Sequence, residues 1–254
     1  MNGAPRIPDD PWAPDGSEEE VLAEYNNRRA RKVTVVIPTR NEEKSIAEIV
    51  RRCRLYADEL MVVDGHSSDR TREIASSLGC RVVLDGGKGK GDGVRTAIRE
   101  AAGDIVVFID ADYSHRPADI PRLVVPILRG EADHVVGSRP RGGSDELHGD
   151  LNKFLRMIGS DIITLGINYR FGVRLSESQN GFRALSRECA RALDLRENIT
   201  TIEQEMTIKT LRNGFRIAEI PSHEYSRRFG ESKIRLRRVS FRYAYSWLKY
   251  LFFG

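Results

Sequence analysis

Between Val33 and Ile109 the chain alternates short apolar runs with stretches of helical periodicity, and this restricts its fold more than any other feature. Val33 to Ile37, Leu60 to Val63, Arg81 to Leu84 and Ile105 to Ile109 read as strands. Glu42 to Leu55, Ser68 to Leu78 and Gly91 to Ala102 read as the helices between them. Such a pattern predicts an α/β fold, a Rossmann-like and mostly parallel sheet with helices on both faces. A helix over Glu18 to Arg29 precedes it. Pro117 to Leu128 follows as a helix that Pro121 and Pro126 are expected to shorten or break. Val135 to Gly137 continues as a strand.

Past residue 140 the alternation loosens. Gly142-Gly143 marks a flexible loop, and Leu151 to Ile167 carries apolar residues at helical spacing. Phe182 to Leu185 and Arg216 to Ile220 read as strands, with a helix over Ile202 to Asn213 between them. The chain finishes in an amphipathic helical segment, Val239 to Phe253. The expected organisation is a flexible extension with a short helix over residues 1–30, a catalytic domain over 31–232, and a basic, aromatic interfacial helix over 233–254.

The 254 residues, 40% of them hydrophobic, suffice for one large α/β domain with a small appendage. The net charge is a mild +4, but the cations cluster: Arg227 to Arg242 holds seven against the single acid Glu231. Clusters of this kind mark an anionic partner. Cys53, Cys80 and Cys189 lie far apart and show neither a metal spacing nor a disulfide framework, which fits a reducing cytosol. Met1 to Ser17 has no apolar stretch resembling a signal peptide; instead Pro5, Pro8, Pro11 and Pro14 recur every third residue. No run of roughly 18 apolar residues occurs. A cytoplasmic location, with membrane contact confined to the surface, is expected.

Asp110-Ala111-Asp112 directly follows the run Ile105 to Ile109. A buried strand ending in two carboxylates sets them at the carboxyl edge of a sheet, where open α/β sheets bind ligands. Ala111 keeps the pair close, and Asp110 and Asp112 together suit a hard divalent cation, Mg²⁺ or Mn²⁺, completed by substrate phosphate oxygens. Pro38-Thr39-Arg40-Asn41-Glu42 follows the first strand, where Pro38 is expected to end pairing and the polar residues to open a helix. Asp64 ends the second strand beside Gly65, positioned to accept from a base or sugar edge, while Ser67 or Ser68 caps the next helix. Gly86-Gly87-Lys88-Gly89-Lys90-Gly91 joins a strand to a helix. Its glycines permit close backbone approach and its lysines add charge for a diphosphate, although it matches neither the P-loop nor the Rossmann glycine pattern.

Together these stretches resemble the inverting glycosyltransferases of family 2, with the GT-A fold, and most of all the dolichol- or polyprenyl-phosphate mannosyl- and glucosyltransferases. The similarity runs from about Val33 to Lys233. Besides the motifs above it includes Gly137-Ser138-Arg139, the segment Glu177-Ser178-Gln179-Asn180-Gly181-Phe182-Arg183, and Arg227-Arg228-Phe229-Gly230-Glu231-Ser232-Lys233. Four positions depart from the family pattern. Ser114 stands where many mannosyl members carry Gln, Glu177 replaces Asp, Gln179 is closer to the glucosyl branch, and Ser226 replaces Asp before the basic element.

The resemblance implies a metal-dependent hexosyltransferase that moves mannose (first) or glucose (second) from a nucleoside diphosphate sugar to a polyprenyl phosphate or other phosphate-bearing acceptor. It implies donor contacts from Pro38, Thr39, Asn41, Glu42, Asp64, Lys88, Gly89, Lys90, Asp110, Ala111, Ser138 and Arg139. Acceptor contacts would come from Glu177, Gln179, Arg228, Ser232 and Lys233. Asp112, Arg183, Glu205 and Arg227 would carry the catalytic roles. An ionised acceptor phosphate needs no strong base; a neutral hydroxyl would need a carboxylate, with Glu177 and Glu205 the candidates. His115 and His223 are lesser candidates for a metal. A soluble small-molecule acceptor is the first alternative. Nucleic-acid binding through the basic tail is the second, opposed by the strand-end carboxylates and by the lack of a recognisable binding motif.

Overall fold

The computed structural model describes residues 16–27, 31–145, 151–226 and 236–253, with 16–18, 151–156 and 236–240 described by backbone alone. The first helix, α1 (Gly16–Asn27), is followed by β1 (Val33–Thr39), α2 (Ile46–Cys53) with a 3₁₀ turn over Arg54–Tyr56, and β2 (Glu59–Asp64). Next come α3 (Thr71–Ser77), β3 (Arg81–Leu84), α4 (Lys90–Glu100), β4 (Ile105–Phe108), and α5 (Ile120–Leu128) behind a 3₁₀ turn over Pro117–Asp119. The second half contains β5 (His134–Ser138), the one-turn α6 (Arg139–Gly142), the long α7 (Leu151–Phe171), β6 (Arg183–Ser186), α8 (Arg187–Ala192), α9 (Ile202–Arg212) and β7 (Ile217–Pro221). It closes with α10 (Leu236–Leu248), which widens into a π turn over Lys249–Phe253.

The seven strands form one sheet in the order β3-β2-β1-β4-β6-β5-β7. All pairings are parallel except those of β6, which runs antiparallel to both β4 and β5. Two cores flank the sheet, because alternate strand residues face opposite sides. Val33, Val35, Ile37, Val62 and Val107 pack with α2 and α5 on one face; Val36, Met61, Val63, Val106 and Phe108 pack with α4, α8 and α9 on the other. The helix α1 belongs to the first core: Tyr25 is fully buried and its hydroxyl donates to the Tyr56 carbonyl at 2.7 Å. A third cluster joins Ile163 and Ile167 of α7, Ile208 of α9, and Tyr250 and Leu251 at the C-terminal turn.

Two proline expectations are corrected. Pro38 does not end β1 but lies within it, opposite Val63 of β2. Backbone groups alternate between neighbours along a strand, and Pro38 faces the β4 side beyond β4's last pair, Val36 with Phe108. Its missing N–H therefore costs no ladder bond. Pro126 does not break α5, which continues to Leu128 with Leu123, Val124 and Ile127 buried around it.

Candidate active site

The parallel strands β1, β2 and β4 all end at one edge of the sheet. Because β6 is antiparallel, its first residue, Arg183, pairs with Phe108 at the end of β4. The segment 176–182 is thereby delivered to the same edge as Asp110 and Asp112. Topology alone brings together two motifs separated by some seventy residues of sequence.

At the centre stands an ion cluster. Lys90 Nζ, on the first residue of α4, is 3.1 Å from Asp110 Oδ1 and 2.9 Å from Glu203 Oε1 of α9. Burial works against the lysine's charge, but the two carboxylates outweigh it and hold the ammonium protonated well above the ordinary lysine range. Gly181 lies against this cluster; a Cβ there would come within 2.8 Å of Lys90 Nζ and 3.1 Å of Asp110 Oδ2. Glu203 is 4% exposed and its second oxygen, Oε2, is buried with no hydrogen-bond partner. No sequence motif marks Glu203, which lies in the wholly buried first half of α9.

Asp110 remains partly open, whereas Asp112 is 8% exposed and accepts from the Ser114 N–H at 3.1 Å. His115 follows, stacked on Phe182 at 5.0 Å, its Nδ1 buried without a partner; burial lowers its pKa, leaving the ring neutral. Two carboxylates two residues apart in the loop after β4 are a donor set that a hard divalent cation accepts, with substrate oxygens completing its sphere. Among the described residues no cluster of three or more His, Cys, Asp or Glu side chains could hold a metal by itself. His223, a candidate ligand by sequence, instead bonds the Gly142 carbonyl and Asp145, at 3.1 and 2.9 Å.

The loops after β1 and β2 are tied to each other. Asn41, at φ 59°, donates its N–H to Ser67 Oγ and accepts from the Ser68 N–H through Oδ1, both at 2.8 Å. Glu42 caps the approach to α2 through Ser45, and its N–H donates to Thr71. Thr39 is 6% exposed, with its hydroxyl buried and unpartnered. Asp64 is fully buried, and both its oxygens accept from Ser67. Its carboxylate thereby holds the loop that follows β2. Neither Ser67 nor Ser68 caps α3; Asp69 receives the Thr71 N–H instead.

The backbone of the glycine-rich loop is tied to its protein neighbours. The N–H groups of Gly87, Lys88 and Gly91 donate to Asp85, Asp92 and the Asn198 carbonyl. Gly89 and Gly91 are required by the loop 194–201: a Cβ on Gly89 would sit 2.6 Å from the Asn198 oxygen, and one on Gly91 would strike Glu197. The glycines answer to a protein backbone, and Lys88 is the exposed lysine of the loop.

Farther along the edge, Arg139 pairs with Glu177 at 2.7 Å and Glu224 at 3.4 Å. Burial opposes the charge of each, but the pairing raises the Arg139 pKa and lowers that of Glu177. Glu177 is 2% exposed and also accepts from the Gln179 N–H. Gln179 turns inward to Ser178 and Gln204. Ser138 is fully buried, receives the Arg141 N–H and caps α6.

Two residues expected to be catalytic are buried and hydrogen-bonded within the fold. Arg183 is 1% exposed, donating to the carbonyls of Asn180 and Glu203; burial lowers its pKa to about 10. It braces the segment under the ion cluster. Glu205, fully buried, accepts from the N–H groups of Arg196 and Glu197 and pairs with Lys209 at 2.8 Å. Arg227, Arg228, Ser232 and Lys233 lie outside the described residues.

Strand-end carboxylates beside a basic loop at the carboxyl edge of a mostly parallel sheet stand where open α/β sheets bind their ligands. Comparison with known proteins specifies the class: the sequence profile of glycosyl transferase family 2 matches residues 34–192, and the chain belongs to that family. It is 30% identical over 200 residues to the glycosyltransferase AglJ of Haloferax volcanii, covering 77% of this chain and 63% of that protein. It is 29% identical over 223 residues to the low-salt glycan biosynthesis hexosyltransferase Agl6 of the same organism, covering 86% of this chain and 53% of Agl6. The undecaprenyl-phosphate 4-deoxy-4-formamido-L-arabinose transferase of Salmonella paratyphi B is 29% identical over 224 residues, 82% of this chain and 64% of that enzyme. The chain thus spans between about half and two thirds of these relatives' length. Among solved structures, glucosyl-3-phosphoglycerate synthase from Mycobacterium tuberculosis, in complex with Mn²⁺, UDP-glucose and phosphoglyceric acid, superposes with a TM-score of 0.72 at 25% identity. The match covers 94% of this chain and 85% of that one, and the fold is GT-A.

Proposed function

We propose that this chain transfers a hexose from a nucleoside diphosphate sugar to the phosphate of a polyprenyl phosphate. The observation that carries the reading is the pair Asp110 and Asp112 at the end of β4, next to the cationic loop that bears Lys88 and Lys90. Mg²⁺ or Mn²⁺ held by Asp110 and Asp112 would neutralise the charge that bond cleavage leaves on the diphosphate. Lys90 keeps a protonated ammonium beside that position, and Glu203 fixes where it stands. Lys88 adds a point charge at the mouth, and Arg227, Arg228 and Lys233 are assigned to the acceptor phosphate or the diphosphate.

A phosphate acceptor fits the protonation chemistry. Its oxygen is already ionised at neutral pH and needs no base, while the two carboxylates proposed as bases, Glu177 and Glu205, are buried and engaged. The Salmonella relative acts, by its name, on undecaprenyl phosphate, which favours the lipid acceptor. A second reading keeps a nucleoside diphosphate sugar as donor but not the lipid: the neighbour at 25% identity holds UDP-glucose together with a small phosphate-bearing acid.

The test pairs each donor, GDP-mannose and UDP-glucose, with two acceptors, a short water-soluble prenyl phosphate and 3-phosphoglycerate, in the presence of Mn²⁺. The expected result is transfer to the prenyl phosphate, with thermal stabilisation by one donor only. Ligand at a hundred times its Kd contributes about 2.7 kcal/mol of apparent stability. Transfer to 3-phosphoglycerate alone would establish the second reading, and transfer to neither would remove both. Arg227→Lys, which keeps the charge but loses the bidentate fork, is expected to lower the rate.

A further inference from the structure

The apolar side chains of α7 and α10 divide between two opposite faces. On α7, Ile163 and Ile167 turn inward, and on the C-terminal element Tyr250 and Leu251 do the same, meeting Ile208 of α9. The outward faces are apolar as well. Along α7, Ile158, Ile162, Leu165 and Tyr169 are 37%, 54%, 68% and 91% exposed; along α10 and its π turn, Phe241, Tyr245, Leu248 and Phe252 are 80%, 61%, 45% and 58% exposed. Each set is spaced i, i+4, i+7, i+11, a single stripe on a helix. The helices touch where the Trp247 ring lies over Gly166, a position at which any Cβ would collide. Since both rest on α9 through their buried faces, the two stripes point away from it, side by side.

Contiguous exposed apolar surface of this kind marks an interaction site, and its charge identifies the partner. Lys233 to Gly254 contains six cations and no acid. Arg242 is exposed on α10, Lys249 sits at the π turn, and Arg170 and Arg174 are exposed at the far end of α7, where Asp161 is the single acid between residues 151 and 174. A second copy of the chain would set this cationic face against itself. No helix among the described residues is long and apolar enough to cross a membrane. We propose that α7 and α10 together form a docking face for an anionic lipid bilayer, lying in the headgroup region with the aromatic stripe toward the acyl chains.

The face is also connected to the site. Tyr243 donates from its hydroxyl to Thr200 Oγ1 at 2.6 Å, and Tyr250 faces the carboxylates of Glu205 and Glu197. The loop 194–201 that they hold accepts the Gly91 N–H through Asn198 and receives Arg95 of α4. The loop 194–201 therefore links α10 to Gly91, the residue after Lys90 at the start of α4. This proposal builds on the lipid-phosphate reading, but its test is independent of transfer.

The experiment is flotation of the full chain with vesicles of phosphatidylglycerol and phosphatidylcholine, free of donor and prenyl phosphate, against vesicles of phosphatidylcholine alone. The expected result is flotation with the anionic vesicles, diminished by high salt. The paired variants F241E/Y245E and L165E/Y169E, exposed positions chosen so that thermal melting is preserved, should each weaken partition by roughly tenfold or more. Phosphatidylcholine binding equal to the anionic binding, or no flotation of the parent chain, would overturn the proposal. So would light scattering that shows a dimer dispersed by F241E/Y245E, which would assign the face to a second copy. Transfer to soluble prenyl phosphate with no vesicle binding would leave the acceptor reading standing and remove only the docking face.

Discussion

At the residue scale, the site depends on which carboxylates are turned to the sheet edge. Glu203 and Glu205 are two positions apart on α9, so about 200° of helical rotation separates them. One meets Lys90 beneath Asp110; the other anchors the loop 194–201 and the C-terminal turn. Both are buried, and no sequence pattern distinguishes them, because α9 is buried over all of Ile202 to Thr210. Asp112→Ala is expected to abolish transfer and Mn²⁺-dependent nucleotide binding while leaving the melting temperature near that of the parent. Activity within tenfold of the parent, about 1.4 kcal/mol in the barrier, would refute its assignment. For Arg183 the expectation is reversed. Arg183→Met leaves the carbonyls of Asn180 and Glu203 without their charged donor, which should cost about 3 kcal/mol or more of stability in urea unfolding. A variant with unchanged stability but no activity would restore the catalytic role.

At the element scale, the strands were legible because short runs of Val and Ile bounded by polar turns have few other uses. β3 was expected over its observed residues, and β2 within one residue of either end. Helix starts were less legible. The segments 42–45 and 68–70 read as helical in the sequence, yet they form the loops that Asn41, Ser67 and Asp69 cross-link, Asp69 by accepting from the Glu43 N–H. Those bonds join residues some twenty-six apart, which local propensity does not register. Packing between α7 and α10 turns on Gly166. Gly166→Val would drive a branched side chain into the Trp247 ring and should destabilise the chain by about 1–3 kcal/mol, as overpacked contacts do. Urea unfolding would measure this, and Mn²⁺-dependent donor binding should persist in the folded fraction. An unchanged midpoint would show that α10 does not need the close approach.

For the whole molecule, acid stability reports on burial. His134 is fully buried between Thr210 and Arg183, and burial, aided by the Arg183 charge, pushes its pKa well below 6.5. In the window below 6.5 the unfolded chain binds a proton that the native state does not, so stability is complete above that value and falls as the pH drops through it. The limiting slope is about 1.4 kcal/mol per pH unit for one such group. Urea midpoints at pH 7.5 and 5.5 should differ more for the parent than for His134→Gln; equal differences would mean that His134 titrates alike in both states. By itself the sequence determined the α/β class, the parallel strands and the carboxylate pair at the end of β4, because these follow from local periodicity and from a motif contiguous in the chain. It also fixed the aromatic and cationic character of the C-terminus. Only the tertiary structure decided that Tyr243, Trp247 and Tyr250 turn inward while Phe241, Tyr245 and Phe252 remain exposed. It alone decided that Lys90, Asp110 and Glu203 meet, and that Arg183, Glu177 and Glu205 are spent inside the fold. The reason is physical: burying a charge requires partners, and those partners arrive from strands and helices whose neighbours are set by the order of the sheet, not by their order in the chain.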